Sequence, residues 1–455
     1  MRNRTCLFVI CLCLTGCASA ASPGLGDLAG DLPVAYPHAR PGPQVSEPQA
    51  RWWTVFGDPN LDRLVDQVLV QNHDLAAAAI LVRRARLTAR LAGDPLLPHL
   101  TADASGETRH DDTGSQKTYS ASANVSYEVD LFGRLAAARD AARWEANATE
   151  EDRQAAALSL VGETLQLYWN IAYLNARVAS AAQSLAYARD LQRLVQAQKT
   201  AGAVSAVEVS EAVLSVQDQA AALSVLVQQR VETRAALTLL LGGAIWPESD
   251  ELLTLPTQDL PVLAAGLPAA LLFRRPDVRA AELRLREQLA VVQGARISFY
   301  PQISLTGAAG GSSSSLSAIL ADPVSSLGFG VSLPFLNWTA LSLSLKTSKL
   351  DQERAVLLFR QALLAAFTDV DTALSAQQQL AAQGEALQTA LDAATRAERL
   401  YGIRYRSGSV ALRIWLDAQE ARRRAETAAL DTLQSRLVNQ ATLYQALGGS
   451  AARRP

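Results

Sequence analysis

The chain has 455 residues, with 42 lysines and arginines against 44 aspartates and glutamates, a formal net charge of −2 and 49% hydrophobic residues. So balanced a charge argues against nucleic acid as a partner, because phosphate binding calls for a concentrated basic surface. All four cysteines, Cys6, Cys11, Cys13 and Cys17, fall at the extreme N-terminus, so no pair remains downstream for a disulfide.

At the start, Arg2 and Arg4 precede the apolar run Leu7 to Leu14, and Leu14-Thr15-Gly16-Cys17 closes it in the form of a bacterial lipoprotein signal. Residues 1–16 are then a signal peptide, and Cys17 opens the mature chain with a covalent lipid on its thiol. An ordinary cleaved secretory signal is the other reading of the same stretch. Ala18 stands where lipoproteins retained at the inner membrane have Asp. Similarity to that pattern therefore implies a protein that is lipid-anchored to the outer membrane and extends into the periplasm.

Beyond residue 73 the elements read in order as a helix at 74–96, strands at 99–106 and 119–127, and helices at 133–200 and 205–241. The order then repeats: a helix at 277–299, strands at 302–308 and 327–333, and helices at 338–406 and 411–447. Asp74-Leu75 aligns with Asp277-Val278 and Pro98 with Pro301 at an offset of 203, while Gly202-Ala203-Val204 aligns with Gly408-Ser409-Val410 and Leu241-Gly242-Gly243 with Leu447-Gly448-Gly449 at 206. Landmarks of such different chemistry in register indicate an internal duplication. Each long helix would span about 100 Å, and the two shorter helices of its half sum to about 90 Å. The short pair can therefore stack end to end beside the long one. Val209, Val213, Val216, Ala220, Leu223 and Val227 recur at alternating steps of four and three, as in a coiled-coil seam.

No apolar stretch after the leader approaches the roughly 18–20 residues of a spanning helix, so strands must cross any membrane. Polar and apolar residues alternate along the strand segments, the period-two pattern of a barrel wall, with polar interruptions at Arg109 to Gln116 and Ser312 to Ser315. Alternation alone also fits a surface hairpin. Four strands cannot close a barrel, since open edges are not tolerated in lipid, so several copies must pool them. His38, His73, His99 and His110 show no metal-ligand spacing, and no P-loop, nucleophile elbow or zinc-protease motif is present. The expectation is a protein that is not an enzyme and has no metal or other cofactor beyond the lipid on Cys17.

Four stretches resemble the TolC-like outer-membrane efflux factors, in the lipoprotein branch of OprM and NodT: Trp52-Trp53-Thr54-Val55-Phe56-Gly57-Asp58-Pro59-Asn60-Leu61; Tyr127-Glu128-Val129-Asp130-Leu131-Phe132-Gly133-Arg134; Arg275-Pro276-Asp277-Val278 with Tyr300-Pro301-Gln302-Ile303-Ser304-Leu305-Thr306-Gly307; and Leu416-Asp417-Ala418-Gln419. The resemblance implies an α+β membrane protein whose duplicated long-helix hairpins form a periplasmic α-barrel. Four β-strands per protomer would contribute to a trimeric 12-stranded outer-membrane β-barrel. It divides the chain into an anchored linker (17–51), an equatorial segment (52–73), a first repeat (74–243), an equatorial linker (244–276), a second repeat (277–449) and a tail (450–455). The implied function is a passive duct for small toxic compounds or drugs. It would be fed by a periplasmic adaptor and an inner-membrane pump of the resistance-nodulation-division type. A duct for peptide or protein secretion is an alternative, and a periplasmic structural lipoprotein without a pore is another.

By the same resemblance the adaptor touches the hairpin tips, Ala201, Gly202, Ala203, Val204 and Ser205 in one repeat and Ser407, Gly408, Ser409 and Val410 in the other. The glycines equally suit a tight helix reversal. Asp417 matches an acidic ring at the closed periplasmic end, whereas Arg413 stands where the family has an apolar residue. At i, i+4 spacing these two share a helical face and form either a charged constriction or an ordinary surface pair. Tyr401, Tyr405 and Arg406 lie near the same tip, where hydrogen bonding between hairpins and simple aromatic packing are both open.

Overall fold

The computed structural model describes residues 36–39, 51–112, 114–257 and 272–449. Cys17, the leader, most of the 17–51 linker, residues 258–271 of the equatorial linker and the 450–455 tail lie outside these. The elements in chain order are α1 (Pro59–Gln71), α2 (His73–Leu91), β1 (His99–Asp111), β2 (Gly114–Val129), α3 (Arg134–Thr200), α4 (Ala206–Leu240), α5 (Pro276–Ile297), β3 (Gln302–Ser313), β4 (Val324–Ser332), α6 (Trp338–Arg406) and α7 (Leu412–Ala446).

The two halves match closely. The long helices α3 and α6 have 67 and 69 residues, and α4 and α7 have 35 each. Within each half the short helices meet end to end beside the long one. At the first junction Asn72 does both halves of the joining: its Oδ1 accepts from the Leu75 amide at 2.9 Å, capping α2, and its Nδ2 donates to the Leu240 carbonyl at the end of α4 at 3.1 Å. Gly242 completes that joint with φ 64°, and a Cβ there would stand 2.6 Å from the Gln71 carbonyl oxygen. The second junction repeats the design, with Gly448 at φ 78° against Arg274 and the Arg275 amide.

The core lies where these junctions meet the middle of the long helices. Trp52 and Trp53 are buried with Leu61, Leu64, Tyr168, Trp169, Leu241 and Leu447. Trp52 stacks on Tyr444 at 5.4 Å, and Phe56 meets Trp169 edge-on at 4.9 Å. The stretch from Trp52 to Leu61 thus has a local explanation. Gly57 reverses the chain at φ 65°, and Asp58 caps α1 by accepting from the amides of Asn60 and Leu61. Tyr168 donates to the other oxygen of Asp58 at 2.7 Å; burial, then this bond, pushes the phenol well above its ordinary range. Asp130 serves likewise at the strand-to-helix turn, its carboxylate accepting from the amides of Leu135 and Ala136.

The four strands form one antiparallel sheet in the order β1-β2-β3-β4. Its two faces differ in chemistry. Leu100, Val125, Gly307 and Leu327 align in one row, and Tyr127, Leu305 and Phe329 in another on the same face. Ala102, Ala123 and Ala309 extend that face. The opposite face carries Asp103, Ser122, Gly310 and Val324 in one row and Glu128, Ser304 and Gly330 in another. Leu327 is 95% exposed in the isolated chain. Among the described residues β1 and β4 each have one unpaired edge.

Several expectations need correction. The strands run further than the alternation indicated, with Arg109 opposite Gln116 and the ladder reaching Asp111 opposite Gly114. Backbone pairing continues past the amphipathic part, where both faces turn polar and the period-two signal fades. Helix α2 ends at Leu91, because Gly93-Asp94-Pro95 breaks it before a short 3-10 turn at Asp94–Leu96. Along α4, Val216 is buried and Val209, Ala220 and Leu223 pack against the tip clusters as the seam predicts, whereas Val213 and Val227 are exposed and Ala212 and Leu226 are buried beside them.

Asn72→Ala should cost about 1–2 kcal/mol by loss of the cap. Asn72→Asp retains an N-cap but removes the donor and sets a carboxylate against the C-terminal carbonyls of α4, so it should not restore stability. Denaturation midpoints followed by tryptophan fluorescence check this; full rescue by Asp would mean that the bond to Leu240 contributes nothing.

Candidate functional site

Both hairpin tips close with the same geometry. At the first, Gly202 has φ 76°, its amide donates to the Lys199 carbonyl at 2.9 Å, and the Ala203 amide donates to Gln198 at 2.8 Å. At the second, Gly408 has φ 73°, donating to Tyr405 at 2.9 Å, with Ser409 donating to Arg404 at 2.9 Å. These are paired helix-terminating bonds that require a left-handed residue, which is the local reason for both glycines. The exits differ. Ser205 caps α4 by accepting from Val207 at 3.1 Å, and Glu208 accepts from the Ser205 amide at 3.0 Å. The Ser205 hydroxyl also donates to that carboxylate, holding it below its ordinary range. Ala411 at the start of α7 has no side-chain cap, so packing of the next residues must hold that exit.

That packing centres on Trp415. With Leu412 it is buried against Leu191, Val195 and Ala212, so residues of both hairpins share one small core. Tyr405 stacks on Trp415 at 5.1 Å, and Tyr187 meets it edge-on at 5.8 Å. Gly402 leaves room for the indole: a Cβ at that position would fall 2.9 Å from Nε1. Tyr405 also donates to Gln198 Oε1 at 3.2 Å, joining the end of α6 to the end of α3. Burial, then the charge of Glu208, raises its phenol above the ordinary range. Tyr405 therefore does both things left open by the sequence, while Tyr401 packs on the cluster. Arg406 lies in the last turn of α6 with Arg404, a favourable place for cations at a helix C-terminus.

Arg413 and Asp417 face away from this core, because Trp415 lies between them in sequence and two residues turn an α-helix by about 200°. Their side chains are 74% and 72% exposed, with Nε and Oδ2 4.0 Å apart, and Arg413 Nη1 is also 3.9 Å from Glu211 Oε1. Contacts so long and exposed contribute tenths of a kcal/mol at most. The pair presents charge to solvent and does little to hold the tip. The residues that hold it, Trp415, Gly402, Gln198 and Tyr187, were not singled out from the sequence. A tryptophan two positions from a candidate gate residue was the available signal. Among the described residues no group of three or more His, Cys, Asp or Glu is placed to hold a metal.

A family model described as outer membrane efflux protein matches residues 64–243 and 267–449. The chain belongs to the outer membrane efflux protein family. It is 32% identical to the pyoverdine export outer membrane protein OpmQ of Pseudomonas putida, over 98% of this chain and 97% of that protein. It is 29% identical to the cation efflux system protein CusC of Escherichia coli, covering 97% of each. Its fold superposes on a crystal structure of CusC with a TM-score of 0.80 at 26% identity, over 90% of this chain and 99% of that one. Against the open state of the Neisseria gonorrhoeae MtrE outer membrane channel the TM-score is 0.78 at 28% identity, over 92% and 96%. The protein is thus the outer-membrane channel component of a tripartite efflux system.

Trp415→Ala should destabilise the tip by about 3–5 kcal/mol, as for other buried aromatic truncations, whereas Arg413→Ala and Asp417→Ala should each change it by less than about 1 kcal/mol. Hydrogen exchange of the amides at 401–416 measures both. Equal protection in all three variants would remove the indole from its structural role.

Proposed function

We propose that three copies of this chain form one closed duct, anchored by lipid on Cys17 and passing small toxic compounds or drugs outward without an energy source of its own. The observation that carries the reading is that both sides of the protomer end in unsatisfied surface of matching kind. The membrane-proximal helices pack in the order α2, α3, α5, α6. Helix α2 leads into the open edge of β1, and the open edge of β4 leads into α6. On the outer helices Leu343, Leu350, Leu357 and Leu364 of α6 recur every seven residues and are exposed, as are Ile80, Leu87 and Leu91 of α2. A neighbouring copy would cover a heptad stripe and extend the sheet with one and the same docking. Three copies supply twelve strands, with the polar sheet face lining the lumen and the apolar face meeting lipid.

In this assembly the adaptor engages the two Gly-centred tips, and an inner-membrane pump of the resistance-nodulation-division type supplies cargo. Arg413 and Asp417, freed from packing duty by Trp415, project from the α7 end of the tip as a charged constriction. Tyr405 and Gln198 tie the hairpins while it is closed. Adaptor and pump open it by binding the dilated tip better than the closed one.

Single-channel conductance in planar bilayers tests the duct: a steady current is expected, and its absence from correctly assembled protein would leave a scaffold. Asp417→Ala should raise the conductance; an unchanged current would remove Asp417 from the constriction. Leu350→Lys should leave the single chain folded, since Leu350 is already exposed, yet lower the fraction of multi-copy species on size exclusion. An unaffected assembly would mean that the leucine stripe lies outside the contact between copies.

A further inference from the structure

Directly beneath the sheet, a cavity of about 690 Å³ opens between the end of α2 and the start of α3. Four arginines line it: Arg86 and Arg90 from the last two turns of α2, and Arg139 and Arg143 from the first three turns of α3. The other side is apolar, with Leu96 and Leu97 just before β1 begins at His99. In a chain of net charge −2 this is a local excess of cations. The carboxylates nearby do not balance it. Asp140 serves both Arg139 at 2.8 Å and Arg143 at 3.6 Å, and Glu150 is 3.4 Å from Arg86 but 2.7 Å from Arg153. Asp94, the acid in the lining, lies 3.5 Å from His99. Among the described residues Arg90 forms no ion pair.

The place of the cavity adds the second argument. Leu100, three residues beyond Leu97, is the first β1 residue of the apolar sheet face. The upper rim of the cavity therefore lies at the level where hydrocarbon gives way to headgroups, within the few ångströms that separate an acyl chain from its phosphate. Guanidinium groups grip phosphate oxygens in fork geometry, and their long stems can rise toward the interface while the charge stays wet. Arginines below with leucines above reproduce the polarity of a glycerophospholipid, phosphate down and acyl chain up.

We propose that this cavity binds the phosphate headgroup of an anionic glycerophospholipid from the periplasmic leaflet of the outer membrane, with Arg90 and Arg143 as its main ligands. The site rests on the outer-membrane placement argued above, and it would fix the height of the protein at its helix-to-strand junction. A soluble phosphate offers the same charge but no acyl chain for Leu96 and Leu97, which separates the two sources.

Native mass spectrometry of delipidated, assembled protein tests this, with titrations of dioleoylphosphatidylglycerol, dioleoylphosphatidylcholine and inorganic phosphate. Phosphatidylglycerol should be retained about tenfold better than phosphatidylcholine, inorganic phosphate should not displace it at equal concentration, and the double variant Arg90→Gln, Arg143→Gln should lose that preference. Asn147→Asp, which places an anion in the lining with all four arginines kept, should weaken retention in the same direction if the double variant does not assemble. Equal retention of phosphatidylglycerol by wild type and variants, or displacement by inorganic phosphate, would overturn the lipid site. The same preparations scored for single-channel current distinguish its failure from that of the duct.

Discussion

The backbone groups along the outer edges of β1 and β4 impose the constraint on which this architecture depends. In hydrocarbon no water satisfies them, and each bare amide or carbonyl there costs several kcal/mol. A four-stranded sheet with one apolar and one polar face is not a finished object in a membrane. The chain brings the remedy with it: the helices that enter and leave the two edge strands, α2 and α6, are the ones whose outer faces carry exposed leucines and isoleucine. A neighbouring copy docked along the stripe would complete the edge in the same step.

Duplication makes this possible at low cost in new sequence. Each half is a helix, a hairpin of strands, a long helix and a returning helix, and β2 pairs with β3 across the boundary between halves. The joints are where the halves become rigid. Asn72 and Gly242 weld α4 to α2, Gly448 seats α7 against the start of α5, and the Trp52, Trp53, Trp169 and Tyr444 core lies at the same level. A rod of this length has little interior of its own, so a stiff middle lets the distal tips respond as units. At the tips the division of labour is clear. Trp415 and Tyr405 hold the hairpins together, which leaves Arg413 and Asp417 exposed to solvent.

Much of this was legible in the residues, and the limits have physical causes. The long helices could be bounded closely because each lacks proline and ends at a glycine whose positive φ is a backbone requirement, as at Gly202 and Gly408. Alternation reports the environment of the faces while pairing depends on the backbone, so the strand ends at Arg109 and Gln116 carry no period-two signal although they pair. The α4 stripe holds at Val209, Val216, Ala220 and Leu223 and fails at Val213 and Val227: Ala212 and Val213 are both apolar, and only the neighbouring helix decides which turns inward. The role of Trp415 is not legible in its own stretch, because it depends on the space left by Gly402 across the tip and on Tyr187, remote in sequence. The arginines under the sheet come from two helices that a sequence scan reads separately.

The most direct test of the account uses cysteines placed on the outer edges of β1 and β4, in a chain whose own four cysteines, Cys6, Cys11, Cys13 and Cys17, all lie in the first 17 residues. Within one chain the two edge strands are three spacings apart, about 14 Å, twice the Cα separation of about 7 Å that a disulfide can span. Paired cysteines along His99–Asp111 and Val324–Ser332 can therefore join only different copies. The account predicts that mild oxidation in membranes gives covalent dimers and trimers on a denaturing gel for at least one register. Monomer alone at every register would contradict it.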